Sequence, residues 1–222
     1  MDRLLTAIVN DDRAQVRELL KLDPSLATCT ITKPKLYREK ILHWIYVGDT
    51  ALHLAAAGYR VEIARQLLAV GADPNATANH RRSSPLHYAA DGYIIGAAWD
   101  PKRQVKTIET LLDAGAEING QDKNGATPLH RAVRTRCAAA VQCLLQAGAN
   151  PLLKNKPGST PFHLAVQNTG RGGSGASGAI AEQRQIIEEL LAFGLSPDLK
   201  NAGGKTVRDS AQSPWIRDLL AK

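Results

Sequence analysis

The chain contains 222 residues with a formal net charge of +7, and 44% of its residues are hydrophobic. This length allows one elongated domain or two globular ones, and the positive charge predicts attraction to acidic partners without indicating a fold. No stretch approaches the roughly 18 apolar residues of a membrane span, and the three cysteines match neither a disulfide framework nor a zinc-binding pattern, which argues against those classes.

The first 27 residues predict a pair of amphipathic helices. Apolar residues recur there at helical spacing in two short groups, Leu4, Leu5, Ile8 and Val9, then Val16, Leu19 and Leu20. Residues 28–48 follow as a long extended segment, basic at its start and apolar at its end. We expect the basic side chains to stay in water and the apolar ones to pack on the chain, the two groups being Lys33, Lys35 and Arg38, and Trp44 and Ile45. Pairing of this edge with another chain is the alternative.

A four-residue phrase then recurs four times, as Thr50–His53, Ser84–His87, Thr127–His130 and Thr160–His163. Its intervals are 34, 43 and 33 residues, and 46 more residues lead from Thr160 to the related Thr206. A Thr-Pro-Leu-His phrase with a period near 33 residues is typical of ankyrin repeats. The chain therefore resembles the ankyrin-repeat family over nearly its whole length.

This resemblance implies an all-α solenoid of helix-turn-helix units with hairpin-like fingers, in one domain. We expect four full repeats between two capping repeats, since terminal units must expose a polar side. The predicted boundaries are a cap at 1–27, a long first finger at 28–48, repeats at 49–78, 79–121, 122–154 and 155–200, and a second cap at 201–222. The two overlong intervals place inserts at 93–102 and 169–181, both between the first and second helix of a repeat.

Each repeat carries its own start and stop signals. Thr127 can accept hydrogen bonds from free backbone N–H groups, and Pro128 suits the first helical position because no partner awaits its missing N–H. Leu129 is predicted to fill the core. Gly148 ends the second helix, since glycine accepts the left-handed conformation found there. Arg82, in contrast, stands where the finger turn of the family usually has glycine.

The sequence contains no convincing catalytic or metal site. The four phrase histidines fall about 8 to 10 Å apart in successive units, too far to share one ion, and a hydrogen bond to neighbouring backbone is the favoured interpretation. His87 and Asp91 could form an acid–base pair, but no nucleophile accompanies them. The glycine-rich run 170–178 lacks the Gly-Lys-Ser/Thr ending of a phosphate loop. We expect no enzyme activity, cofactor or metal.

A basic cleft is the first functional hypothesis from the residues themselves. Arg131 and Arg134 lie three apart, and we expect both guanidinium groups to project into solvent from one helix face. Arg136 stands in the following turn, between the two inserts. Further basic residues are expected on the same rim, namely Lys102, Arg103 and Arg171. Tyr93 and Trp99 could anchor a partner there or fold back over their own repeat.

The family resemblance implies recognition by the fingertips, first helices and following turns. The matching positions include Tyr46, His80, Arg81, Asp91, Lys123, Asn124, Arg134, Thr135 and Lys156. Together with the cleft they predict a monomeric interaction module that binds an acidic protein or peptide. Nucleic-acid binding is the alternative, disfavoured because no aromatic residues are interleaved along the cleft.

The absence of an apolar segment near the N-terminus argues against a cleaved signal peptide, so a cytoplasmic location is expected, with secretion by another route left open. We also expect charge reversal at Arg134 and Arg136 to weaken partner binding while leaving thermal unfolding nearly unchanged.

Overall fold

Antiparallel helix pairs make up most of the computed structural model, which describes residues 1–37, 40–41, 43–92, 99–167 and 177–221. The described helices are α1 (Asp2–Val9), α2 (Arg13–Leu22), α3 (Ala51–Ala57), α4 (Val61–Ala69), α5 (Pro85–Ala90), α6 (Pro101–Asp113), α7 (Pro128–Arg134), α8 (Ala138–Gln146), α9 (Pro161–Ala165), α10 (Ser177–Ala192), α11 (Val207–Ser210) and α12 (Pro214–Leu220). A 3₁₀ turn (Pro24–Ala27) and two strands, β1 (Lys35–Tyr37) and β2 (His43–Ile45), complete the described elements.

The recurring phrase starts the first helix of each unit as predicted. At α7, the Thr127 hydroxyl accepts a hydrogen bond from the His130 N–H at 3.4 Å, and His130 Nδ1 accepts one from the Thr127 N–H at 3.2 Å. This reciprocal pair satisfies two N–H groups that the helix itself cannot. The same capping arrangement recurs at Thr50, Ser84 and Thr206. At Thr206, the carboxylate of Asp209 replaces the histidine ring.

Two rows of helices stack in series. The first helices form one row, in which α3 packs on α5, α5 on α7 and α7 on α9, and the second helices form the other, from α4 through α6 and α8 to α10. Each first helix contributes one fully buried large side chain at the same position of the phrase, namely Leu52, Leu86, Leu129 and Phe162. Small residues such as Ala55 and Ala132 let the rows approach closely. The all-α solenoid is thereby confirmed.

Fingers project between the units, and each ends in a tight turn. The residue at the end of the turn has positive φ in every case, and four of these five residues are glycine: Gly48, Gly125, Gly158 and Gly204. The fifth is Arg82, with φ of 51°. An L-residue with a Cβ is strained in this conformation, so the arginine that replaces the usual glycine strains the backbone of this turn.

The first finger is long because β1 and β2 form an antiparallel hairpin, with Leu36 opposite Trp44. Ile45 is fully buried, as predicted. The predicted packing of Trp44 is wrong, since 47% of its surface is exposed. Successive side chains of a strand point to opposite faces, so burial of Ile45 turns Trp44 outward. Lys33 and Lys35 are exposed as expected, whereas Arg38 lies outside the described residues.

The hairpin rests on the first helices rather than extending into solvent. Ile41 is buried against Gly58 at the end of α3, where a Cβ on the glycine would lie 2.9 Å from the isoleucine side chain. Lys40 Nζ donates a hydrogen bond to Asn10 Oδ1 at 2.7 Å, beyond the end of α1. We call the side formed by the first helices, the hairpin and the fingers the inner face.

The predicted inserts are partly helical. α6 already begins at Pro101, capped by the Asp100 carboxylate, which accepts hydrogen bonds from the N–H groups of Lys102 and Arg103. α10 begins at Ser177, within the second predicted insert. Residues 93–98 and 168–176 lie outside the described residues, and the predicted repeat boundaries remain predictions. None of the described helices is long and apolar enough to cross a membrane.

Candidate partner-binding surface

The four phrase histidines connect neighbouring units. Each Nε2 faces a backbone carbonyl of the next finger, at 2.9 Å for His53 and Ser83, 2.9 Å for His87 and Ala126, 3.1 Å for His130 and Ser159, and 3.2 Å for His163 and Lys205. A carbonyl can only accept, so Nε2 carries the proton and Nδ1 accepts from the capping residue. The predicted backbone role of these histidines is confirmed.

These rings remain neutral at pH 7. Burial lowers the pKa of His53, His130 and His163. For His87, burial and then the nearby Arg131 charge lower the pKa to about 4. Both nitrogens of His87 are engaged, and the Asp91 carboxylate pairs elsewhere, so the possible acid–base pair does not form. Within the described residues no group of three His, Cys, Asp or Glu side chains could hold a metal ion.

Arg131 is the centre of a buried charge cluster. Its Nη1 lies 2.8 Å from Asp91 Oδ2, and its Nη2 lies 2.6 Å from Asp122 Oδ2 and 3.1 Å from the Ser83 hydroxyl. Only 4% of its side chain is exposed. Burial alone would raise the pKa of both aspartates, but the Arg131 guanidinium holds them below their usual range. The cluster therefore carries one positive and two negative charges.

The predicted exposure of Arg131 is wrong. Helix geometry alone places Arg131 on the outer side of α7, whereas the end of α5 and the third finger each place an aspartate over that face. Arg134 does reach solvent, with 49% of its side chain exposed, and its Nη2 lies 3.7 Å from Asp91 Oδ1. Two acidic residues could have indicated the cluster from the sequence: Asp91, in the turn after α5, and Asp122, in the third finger.

The hairpin adds a second buried polar group that sequence reasoning missed. The fully buried Asp49 carboxylate accepts hydrogen bonds from the Tyr88 hydroxyl at 2.8 and 3.0 Å and from the Tyr46 N–H at 2.7 Å. His43, on β2, stacks on Tyr88 with ring centroids 4.6 Å apart, and its Nε2 lies 3.6 Å from Asp91 Oδ2. The hairpin is thus joined to the Arg131 cluster.

Several predicted rim residues have structural roles. The Trp99 indole folds back and donates to Gln104 Oε1 at 2.9 Å, which is the second of its two expected roles. Arg103 pairs with Asp11 at 2.8 Å. The Thr135 hydroxyl accepts from the Gly92 N–H and donates to the Arg131 carbonyl. Tyr93 and Arg171 lie outside the described residues.

Arg136 also departs from expectation, because only 3% of its surface is exposed. Its φ of 60° is left-handed, and neither of its terminal nitrogens has a hydrogen-bond partner among the described residues. Burial lowers the pKa of its guanidinium. A carboxylate at position 136 would be buried, so the structure leads us to expect that reversing the charges of Arg134 and Arg136 lowers stability as well as partner binding.

The predicted fingertip residues do share one surface, which we call the fingertip strip: Tyr46, His80, Arg81, Lys123, Asn124 and Lys156. Backbone hydrogen bonds tie successive tips together, from the Lys123 N–H to the Arg81 carbonyl at 2.7 Å and from the Lys156 N–H to the Asn124 carbonyl at 2.8 Å. Tyr46 is joined to the second tip, since Arg81 Nη1 donates to its hydroxyl at 3.1 Å. The strip is continuous over four fingers.

A polar cavity of about 390 Å³ opens at the base of the second and third fingers. Its amides are already engaged, because Asn75 bonds to the backbone of Gly115 and Glu117, and Gln121 donates to backbone carbonyls. The walls carry both an arginine and a carboxylate, and the full lining is Asn75, Thr77, Arg82, Ser84, His87, Glu117, Gly120 and Gln121. This mixed, largely satisfied lining does not define a ligand class.

Comparisons with known proteins agree with this architecture. A family model described as ankyrin repeats in three copies matches residues 94–201, and a single ankyrin-repeat model matches residues 47–79. The relatives include mouse ankyrin repeat and SOCS box protein 6, 36% identical over 84 residues, which are 38% of this chain and 18% of that protein.

Two further relatives match over similar lengths. The ARF GTPase-activating protein Git of Drosophila melanogaster is 38% identical over 81 residues, 36% of this chain and 10% of that protein. Mouse NF-kappa-B inhibitor delta is 35% identical over 94 residues, 41% of this chain and 25% of that protein. The chain thus spans a quarter or less of each of these relatives. The two family matches together cover more than half of the chain, which belongs to the ankyrin-repeat family.

Proposed function

We propose that this chain is a non-enzymatic protein-interaction module that binds an acidic protein segment along the fingertip strip. Ankyrin repeats generally mediate protein–protein interaction, which supports the class of function. The nature of the partner rests on one observation, that the basic side chains of the strip have no acidic partner. Arg81 contacts the ring and hydroxyl of Tyr46, and no carboxylate lies within ion-pair distance of Arg81, Lys123 or Lys156 among the described residues.

The aspartates of the inner face do not pair with these basic side chains. Asp122 belongs to the third finger, but its carboxylate is buried against Arg131. Asp49 and Asp91 are likewise engaged with Tyr88 and Arg131. The cations of the fingertip strip are therefore available to a negatively charged partner, and positive charge at a surface speeds the association of such a partner.

The proposal is tested with fluorescent polyglutamate and with a single-stranded DNA of equal charge, by anisotropy from 50 to 300 mM salt. We expect polyglutamate to bind, and the Lys123→Glu/Lys156→Glu variant to lose that binding. The matched control, Lys21→Glu/Lys106→Glu, makes the same change in net charge on the second helices α2 and α6. Equal loss in both variants, or absence of polyglutamate binding at low salt, would overturn the proposal.

DNA serves as the competing ligand in the same experiment. A nucleic-acid-binding protein would prefer the DNA and lose affinity steeply with salt, because phosphate contacts release counterions. Tighter binding of DNA than of polyglutamate at every salt concentration would replace the proposed function with that alternative.

A further inference from the structure

The fingertip strip has two chemically different ends. At its first finger the strip presents the exposed apolar side chains of Trp44 and Val47, although Lys33 and Lys35 are exposed elsewhere on the same finger. The tips of the second, third and fourth fingers carry the cations Arg81, Lys123 and Lys156, and the exposed side chains of Arg82 and Lys154 add to the second and fourth. From this order we infer that the occupant is an extended acidic segment with an apolar anchor residue at one end and carboxylates at about every third position. This inference rests on the proposed function and specifies the partner's sequence pattern.

The apolar end lies on one face of the hairpin. Trp44 is exposed on the face of β2 opposite to the buried Ile45. Tyr46, the first residue after the strand, is partly buried against the core. Leu36 lies directly across from Trp44 on β1 and belongs to the same face. Just beyond, Val47 is 51% exposed. An exposed tryptophan beside other apolar groups offers the kind of contact that anchors a partner.

The apolar end continues directly into the basic row. The Arg81 guanidinium lies 5.2 Å from the centre of the Tyr46 ring, and the His80 ring meets the same tyrosine edge-on at 4.8 Å. Lys123 and Lys156 follow on the next two tips, both exposed. The fifth finger ends the row, since its tip residues are Ala202 and Gly203. One side of a bound segment would thus meet an apolar surface and then three cations.

The fingers set the spacing of the partner's charges. Adjacent units of packed helices lie about 8 to 10 Å apart, and an extended chain advances about 3.3 Å per residue. One finger therefore corresponds to about three residues of an extended ligand. A carboxylate opposite each cation requires acidic residues at positions i, i+3 and i+6, with the anchor about three residues before the first or after the last.

The experiment uses the full chain and defined twelve-residue peptides of serine and glycine. The test peptide carries one leucine and three glutamates at three-residue intervals, made in both chain directions. One comparison peptide has the same composition with the glutamates adjacent, and another has serine in place of leucine. We expect one direction of the test peptide to bind about tenfold more tightly than either comparison peptide by anisotropy. Tenfold corresponds to about 1.4 kcal/mol, lost with the anchor contact in one comparison peptide and with the charge spacing in the other.

Protein variants test which residue of the chain contacts each part of the peptide. Trp44→Ser should abolish the advantage of the leucine while retaining the advantage of the three-residue glutamate spacing. Lys123→Gln should weaken the spaced peptide several-fold, whereas the matched control Lys21→Gln should not. If Trp44→Ser leaves the leucine advantage intact, the anchor assignment is overturned.

The remaining outcomes separate this inference from the proposed function. Binding of polyglutamate without any advantage of spacing or leucine would overturn the inference alone. Absence of binding by every acidic peptide would overturn both. Sedimentation of the free chain addresses a second copy as occupant: self-association that disappears in Trp44→Ser would show that the apolar end is a contact between copies and would overturn the inference.

Discussion

Two regions of the inner face use basic side chains in opposite ways. Around Arg131 the charge is buried, contacts two aspartates and joins two units of the solenoid. At Lys123 and Lys156 the charges point into solvent, and no acidic residue among those described lies within ion-pair distance. The difference arises from the neighbours, since Asp122 turns inward at the base of the finger while Lys123 occupies its tip. Charge that is neutralised internally supports the fold, and charge left unneutralised is available for a partner.

The largest expected effect comes from removing the buried cation. Arg131→Met keeps much of the side-chain volume but leaves Asp122 buried without its counter-charge and Asp91 with only the half-exposed Arg134, 3.7 Å away. This should cost about 3 to 5 kcal/mol of unfolding free energy. Urea denaturation measures this loss of unfolding free energy. Arg134→Met is the matched control, since that side chain is half exposed and should change stability by less than about 1 kcal/mol. Equal losses in the two variants would contradict the contrast between buried and exposed charge.

The second-largest expected effect is a loss of stability at low pH. The pKa of His87 is about 4 in the folded chain and about 6.5 when unfolded, so the unfolded state binds the proton first as the pH falls. The stabilisation is complete above pH 6.5 and is lost between about pH 6.5 and 4, by about 3 kcal/mol for this one ring. The lowered pKa values of Asp91 and Asp122 extend the loss to lower pH.

Urea titrations between pH 8 and 4 test this dependence. His87→Gln removes the ring, so its unfolding free energy should change less between pH 7 and 4.5 than that of the wild type. If the unfolding free energy of both proteins changed equally with pH, protonation of His87 would not account for the predicted loss of stability.

The solenoid could be predicted from sequence because its determinants are local. The capping residue, the buried leucine and the terminal glycine of each unit lie within a few residues of one another and recur at a fixed period. The fingertip positions of Lys123 and Lys156 follow from the same period. Burial of Arg131, in contrast, depends on Asp91, 40 residues away, and that of Arg136 on the packing of its turn. A contact that occurs between only one pair of units leaves no periodic signal, so helix position alone placed Arg131 on the wrong side.

Arg136 and Arg82 offer a matched pair of left-handed residues, one buried and one exposed. Glycine relieves the backbone strain at either position, although it also increases the entropy of the unfolded chain. Arg136→Gly additionally removes a buried guanidinium whose terminal nitrogens are unsatisfied, so we expect a stabilisation of about 1 kcal/mol. Arg82→Gly should gain about half as much. Thermal unfolding compares the two, and a larger gain at Arg82 would show that strain rather than burial dominates.

The smallest effect on stability is expected at the fingertips. Lys123→Gln and Lys156→Gln remove exposed charges that form no ion pair within the described part of the chain, so each should change the unfolding free energy by less than about 0.5 kcal/mol. Stability within this limit, together with weaker polyglutamate binding, would separate recognition from folding at these positions. A loss above about 1 kcal/mol would mean that the lysines support the finger turns themselves. In that case their charge could not be regarded as free for a partner, and the contrast with Arg131 would disappear.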